Sequence, residues 1–324
     1  MRTSYVARAA FAVSLLTAFA TPLLAQEWPS QPVKMMVGFG AGGGTDVVSR
    51  IIADPLGKVL GQPFVVENKP GAGGSIAGDI VAHGPKDGYT SLMISPGHTV
   101  SAAVMKSVPY DPVKDFTAVG VVANSAIVFV ARKDFPAKDL KDLIALAKKE
   151  PGKLNYGTVN TGSTQHLVAE WFRQLTGVQA QNVTFRTTPE VVTALLRGDI
   201  SYGVDLAHAV RGQVESGDLK ILAVTTPTRW PTLPDVPTAL EQGLPNFSAL
   251  GWYGLVFPAG VPQEAVTKTQ KALAEVLSRD VLKKQLSNAG AIPSLSTPEE
   301  FTKLISEEVV RWRQVARDAN IQAQ

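Results

Sequence analysis

The 324-residue chain contains no cysteine. Disulfide staples, thiolate metal sites and cysteine nucleophiles are therefore excluded. Charge is sparse, at 18% of residues, and no basic run is longer than a pair such as Lys148-Lys149. Nucleic-acid binding needs a clustered basic footprint, so no nucleic-acid partner is expected. The four histidines, His83, His98, His166 and His208, do not fall at ligand spacing from one another. That makes a metal site improbable. There is no G-x-S-x-G elbow, and nothing in the pattern marks a nucleophile. The chain reads as a non-enzyme with no cofactor.

Long apolar runs are also missing, with one partial exception. Residues 1–25 carry Arg2 and Arg8, then an apolar stretch over 9–20, then small residues ending at Ala25. A dozen apolar residues cannot span a bilayer that needs ~20. A positive start, a short apolar centre and a small residue before the cut describe an export signal. Cleavage after Ala25 and a periplasmic location are expected. Arg2 and Arg8 are two of 31 basic residues, so the remainder carries 29 basic against 28 acidic, near neutrality.

What is present is alternation. Short apolar runs at 34–37, 64–67, 90–95 and 119–131 are separated by segments with helical spacing, among them Val48, Ile52, Leu56 and Val59. Pro55 is expected to kink that first helix. A second series comes after it, with helices over 140–149, 163–175 and 188–198 and strands near 154–158, 183–186, 200–204 and 219–225. Residues 226–246 hold Pro227, Pro231, Pro234, Pro237 and Pro245 and read as an extended crossing. A strand at 250–257 and two or three helices close the chain, the last opened by the capping sequence Thr297-Pro298-Glu299-Glu300. This is an α/β protein built in two series, with long strands joining them.

The most informative stretch is VGFGAGGGTD, residues 37–46. Gly38, Gly40 and Gly43 reproduce the dinucleotide fingerprint G-x-G-x-x-G, with Glu67 at the distance of the ribose-binding acid. An exported chain does not meet the cytoplasmic nicotinamide pool, and a second glycine-rich turn over 71–74 interrupts the expected helix. A phosphate-binding P-loop fails outright, because Gly44 stands where its lysine must be. What remains is main-chain chemistry. Phe39, Gly40, Ala41, Gly42 and Gly43 precede a helix N-terminus with little side-chain shielding, and such a terminus attracts anions, carboxylates included. The alternative is a turn for which glycine is merely permissive.

Asn160, Thr161, Gly162, Ser163, Thr164 and His166 repeat that strand–loop–helix logic, with Ser163 and Thr164 able either to cap the helix or to bind. Ser95 and His98 end another strand, as a third wall or an ordinary turn. Arg186 could pair with a second carboxylate or lie on the surface. Asp205 is expected to hold water or structure, since an anion receptor gains nothing from a bare carboxylate.

The ordered motifs WPSQPVKMMVGFGAGGGTD, ENKPGAGGSIA, PYDPVKDF, PGKLNYGT, GSTQHL, LPDVPTALEQGLP and WYGLVFPAG resemble those of Bug-type solute receptors of tripartite tricarboxylate transport systems. The resemblance implies a two-lobed Venus-flytrap fold, each lobe a small, mostly parallel sheet flanked by helices. Residues 26–125 and 249–324 would form one lobe, and 126–248 the other. It also implies a small organic carboxylate as ligand, whether a di- or tricarboxylate or an aromatic acid. Its carboxylate would be held by the loops at 39–46 and 160–166, with Asp46 closing the first. A membrane permease is the implied partner of a monomeric receptor. Two departures stand out: Gly38 and Gly40 replace prolines common in the first loop, and Phe185-Arg186-Thr187 replaces Tyr-Lys-Gly.

Overall fold

The computed structural model describes residues 27–321, so the expected signal segment lies outside the described residues. The chain runs β1 (Val33–Val37), α1 (Gly44–Leu60), β2 (Phe64–Asn68), α2 (Ser75–Ala82), β3 (Thr90–Ile94), α3 (Pro96–Val104) and β4 (Phe116–Arg132). It continues α4 (Leu140–Lys149), β5 (Leu154–Val159), α5 (Thr164–Thr176), β6 (Ala180–Phe185), α6 (Thr188–Arg197), β7 (Tyr202–Leu206), α7 (Ala207–Glu215) and β8 (Leu219–Val224). After a turn-rich crossing come β9 (Leu250–Pro258), α8 (Gln263–Ser278), α9 (Asp280–Asn288), β10 (Ile292–Pro293) and α10 (Pro298–Asp318).

The strands order as β2-β1-β3-β9-β4-β7-β5-β6, with β8 and β10 pairing β4 off that path. Strands β1, β2 and β3 are parallel, as are β5, β6 and β7. The antiparallel β4 joins the two sets. From Phe116 to Ala126 it pairs β9, and from Ile127 onward it pairs β7 and β8. One strand thus belongs to two sheets.

The period-2 geometry of strands sends alternate residues to opposite faces, and the core obeys it. Val33, Met35 and Val37 pack in one cluster with Ile52 and Leu56 of α1 and Leu273 of α8, whereas Met36 packs in another with Phe301 of α10. In β4, Ile127, Phe129 and Ala131 face α5, whereas Ala126, Val128 and Val130 face α6. Both faces of each sheet are covered, which is why these strands read as near-continuous apolar runs.

The structure departs from the sequence reading at three places. Helix α1 runs unbroken through Pro55 to its left-handed cap at Gly61. Residues 95–99 are not a turn, because Pro96 at the first helical position opens α3. Residues 207–215 form a helix, α7, that the sequence reading passes over. The proline-rich crossing is ordered, burying Trp230, Ala239 and Phe247 and bridging Val224 to Thr238.

Candidate functional site

The loops after β1 and β5 adopt the same conformation. Gly42 (φ +81°) precedes an extended Gly43 (φ −71°, ψ 160°), and Gly162 (φ +76°) precedes an extended Ser163 (φ −74°, ψ 164°). In each, the glycine N–H turns back to the side chain four residues on. Gly42 donates to Asp46 Oδ2 and Gly162 to His166 Nδ1, both at 2.9 Å. The next N–H returns to the loop as well, Gly43 to Gly40 O and Ser163 to Asn160 O. Asp46 and His166 are thus loop braces.

Both brace residues are buried. Asp46 is 2% exposed and accepts from Arg50 Nε at 2.9 Å and Asn68 Nδ2 at 2.9 Å. Burial opposes its ionisation, but the hydrogen bonds from Arg50, Gly42 and Asn68 outweigh that and hold the carboxyl below its usual range. Asn68 also donates to Phe39 O at 3.0 Å, tying the loop to β2. His166 accepts through Nδ1 from Gly162, and burial pushes its pKa down, keeping it neutral.

Beyond the braces the first helical turns are open. Among the described residues, the N–H groups of Gly44 and Thr45 in α1, Gly97 in α3, and Thr164 and Gln165 in α5 have no protein partner. All five residues line one cavity of about 630 Å³. Helix N-termini carry a partial positive charge of about half a unit, so three of them on one space make an anion site from main chain alone. The Tyr253 hydroxyl lines the same space, beside Gly44. Burial pushes this phenol up to about 12, so it is a neutral donor.

Glycine is demanded here by close approach. A Cβ on Gly44 would strike the Tyr253 hydroxyl, and one on Gly38 would lie 2.6 Å from Gly74 Cα. The departure at Gly38 is therefore a packing requirement: the main chain of the 71–74 turn occupies the space a side chain would need.

Of the candidates from sequence, Phe39, Gly43, Ser95, Asn160, Thr161, Gly162, Ser163 and Thr164 line the cavity. Gly40, Ala41 and Gly42 lie on the exposed outer side of the first loop. His98 is buried behind α3, its Nε2 2.9 Å from Pro112 O and its ring stacked on Tyr110. Arg186 is exposed and outside the cavity, its N–H donating to Glu190. Asp205 is fully buried and turned from the cavity, accepting from Thr188 Oγ1, Gln165 Nε2 and Leu206 N. Burial pushes its carboxyl up.

Thr45, Gly97 and Gln165 also line it, within the segments 39–46, 95–99 and 160–166 singled out from sequence, whereas sequence reading missed Trp252 and Tyr253. The last two sit in WYGLVFPAG, a motif visible in the sequence, but a strand aromatic facing a cavity looks the same there as one facing the core. The Trp252 indole N–H is spent on Glu308 Oε1 at 3.0 Å, so only the ring is offered to the cavity. Glu308 also accepts from Thr99, and burial pushes its carboxyl up.

Two sheets sharing a strand, with anion-seeking helix ends from both around one cavity, define a two-lobed solute-binding protein. Residues 48–321 match the model of the tripartite tricarboxylate transporter family receptor, and the chain belongs to that family. BugT of Bordetella pertussis is 33% identical over 92% of each chain. The R. palustris protein Rpa4515, solved with adipate, is 35% identical at a TM-score of 0.78, covering 92% of this chain and 100% of that one. MatC of Rhodopseudomonas palustris, solved with malate, is 32% identical at a TM-score of 0.74, covering 89% and 99%.

Proposed function

We propose that the protein captures a small organic carboxylate in the periplasm and delivers it to a membrane permease. The observation that carries this reading is the convergence of three open helix N-termini and the Tyr253 hydroxyl on one cavity. Similar chains solved with adipate and malate support it, as does the export signal read at residues 1–25. We place the lobes at 26–125 with 249–324 and at 126–248, near the point where β4 changes partners. Residues 119–131 and 250–257 are then the hinge. A ligand touching α1 from one lobe and α5 from the other stabilises the closed form in proportion to those added contacts.

The test is a thermal-shift screen with mono-, di- and tricarboxylates, amino acids and NAD. A ligand at 100 times its Kd adds ~2.7 kcal/mol, a rise of several degrees. At least one carboxylate is expected to give it, and Gly44→Val, which fills the gap beside Tyr253, is expected to remove it. A shift with NAD and with no acid would defeat the proposal. An unchanged shift in Gly44→Val would mean that the carboxylate sits elsewhere.

A further inference from the structure

We infer that Glu170 is a positioning residue for the second loop, fixing which nitrogen of His166 carries the proton. This rests on the carboxylate-receptor reading above and deepens it. Thr164 and Gln165, whose N–H groups have no protein partner among the described residues, line the cavity at the end of this loop. The two loops are built on one spacing. A left-handed glycine donates to the residue four positions on, and that residue meets a charged side chain four positions further. In the first loop the series is Gly42, Asp46 and Arg50, with Arg50 Nε 2.9 Å from Asp46 Oδ1. In the second it is Gly162, His166 and Glu170, with His166 Nε2 3.8 Å from Glu170 Oε1. The charges are reversed: an acid backed by a cation in one, an imidazole backed by an acid in the other.

The reversal matters because the two braces differ in chemistry. A carboxylate accepts on every side, so Asp46 serves Gly42, Asn68 and Arg50 together. A neutral imidazole has one acceptor and one donor nitrogen, and its neighbours decide which is which. The Gly162 N–H requires a bare Nδ1, so the proton must sit on Nε2. Glu170 Oε1 faces that second nitrogen. A carboxylate oxygen there attracts an N–H and repels a lone pair. With the proton moved to Nδ1, two N–H groups would meet head to head, and the Gly162 turn would lose its anchor. Glu170 is itself held from other sides. It is buried, accepts from the Tyr156 hydroxyl, and takes Arg173 Nη1 at 2.9 Å on Oε1 and 2.7 Å on Oε2. Burial pushes the Tyr156 phenol up, which keeps it a donor. Tyr156 lies on β5, the strand that leads into the loop. Strand, loop and helix are thus tied through one carboxylate.

The experiment begins with the ligand-free protein. Proton–nitrogen correlation spectra of the imidazole rings, with the His166 signal assigned by its loss in His166→Asn, are expected to show the Nε2–H form. The Nδ1–H form, or a mixture of the two, would overturn the inference. Glu170→Gln keeps the size and an acceptor for Tyr156 but removes the charge, and its amide can donate to Nε2. The Nδ1–H form is then expected to appear, and the Gly162 N–H to exchange with solvent about fivefold faster, the worth of one hydrogen bond. His166→Asn supplies the control, because its Oδ1 stands where Nδ1 stood and accepts with no tautomer to choose. In that background Glu170→Gln is expected to leave Gly162 exchange unchanged. Equal acceleration in both backgrounds would show that Glu170 acts by packing alone, and the inference would fall. Calorimetry with adipate reads the consequence for binding. Its Kd is expected to rise about fivefold in Glu170→Gln, and an unchanged Kd would overturn the inference. Absence of binding by both adipate and malate to the parent would count against the receptor reading, while the ligand-free spectra would still decide whether Glu170 sets the tautomer.

Discussion

His98 reports on the acid side of stability. It sits fully buried, donates through Nε2 to Pro112 O and stacks on Tyr110 at 5.5 Å. Burial pushes its pKa down to about 4. The unfolded chain takes up this proton near pH 6.5 while the folded chain refuses it, so stability is full above 6.5 and drains away as pH falls toward 4. At ~1.4 kcal/mol per unit the span is worth about 3 kcal/mol. His166 and His208 are depressed by burial in the same sense, whereas Asp205 and Glu308 are raised and work in the opposite one. The difference between parent and variant isolates the residue. Urea unfolding at about pH 7 and about pH 4.5, either side of most of this window, is expected to show a smaller loss in His98→Gln than in the parent. Equal losses would show that His98 is not a source of the slope.

At the scale of elements, α10 is the part that ties the molecule together. Its first half packs Phe301 and Ile305 under the β1–β3 sheet, and its second half packs Trp312 and Val315 with Phe129 and Phe172 of the other. Trp171 of α5 meets Trp312 edge-on at 6.0 Å, with the Arg311 guanidinium over its ring. The helix begins in a capping box, Thr297 accepting from Glu300 N at 3.1 Å and Glu300 from Thr297 N at 2.9 Å. Thr297→Ala is expected to cost about 1 kcal/mol, read as a lower urea midpoint at unchanged slope. A change below about 0.3 kcal/mol would mean that packing alone holds this end. The capping box was legible from residues, as were α4, α6 and the end of α6 at Gly198. Helix α3 was not, because Ser95-Pro96-Gly97 is composed of turn formers that serve equally well to open a helix. Helix α7 was not legible either, because only Ala207 and Val210 of its nine residues are buried and so little apolar periodicity shows.

For the molecule as a whole, the decisive fact is that β4 and β9 are continuous hydrogen-bonded strands and not a flexible tether. The proposed closure would have to bend or twist a shared sheet. Small-angle scattering with saturating carboxylate is expected to give a radius of gyration near the ~19 Å of a compact chain of this length, and a larger value without ligand. Identical values would mean that the lobes do not move on binding. The two-series α/β plan and the family resemblance made the global architecture readable from residues alone. The cavity was only half readable. Loops at strand ends announce themselves through glycine, but which way Arg186, Asp205 or Tyr253 points depends on register and neighbours that no local pattern encodes.

Because five amides without a protein partner, from three helices, belong to residues that line the cavity, the proposed grip on an anion would have an unusual genetic signature. Truncating side chains to alanine removes none of these donors, so an alanine scan would find the anion pocket nearly silent. Losses would cluster where atoms are added, at Gly38, Gly44 and Gly97, whose new methyl groups would meet main chain or rings. The apolar lining, Phe39, Val100, Val104 and Met105 among it, would respond to exchange of one side chain for another. Under the proposed function, affinity for the carboxylate and preference for what it is attached to would thus be carried by separate sets of positions, and a drifting sequence could change the second while keeping the first.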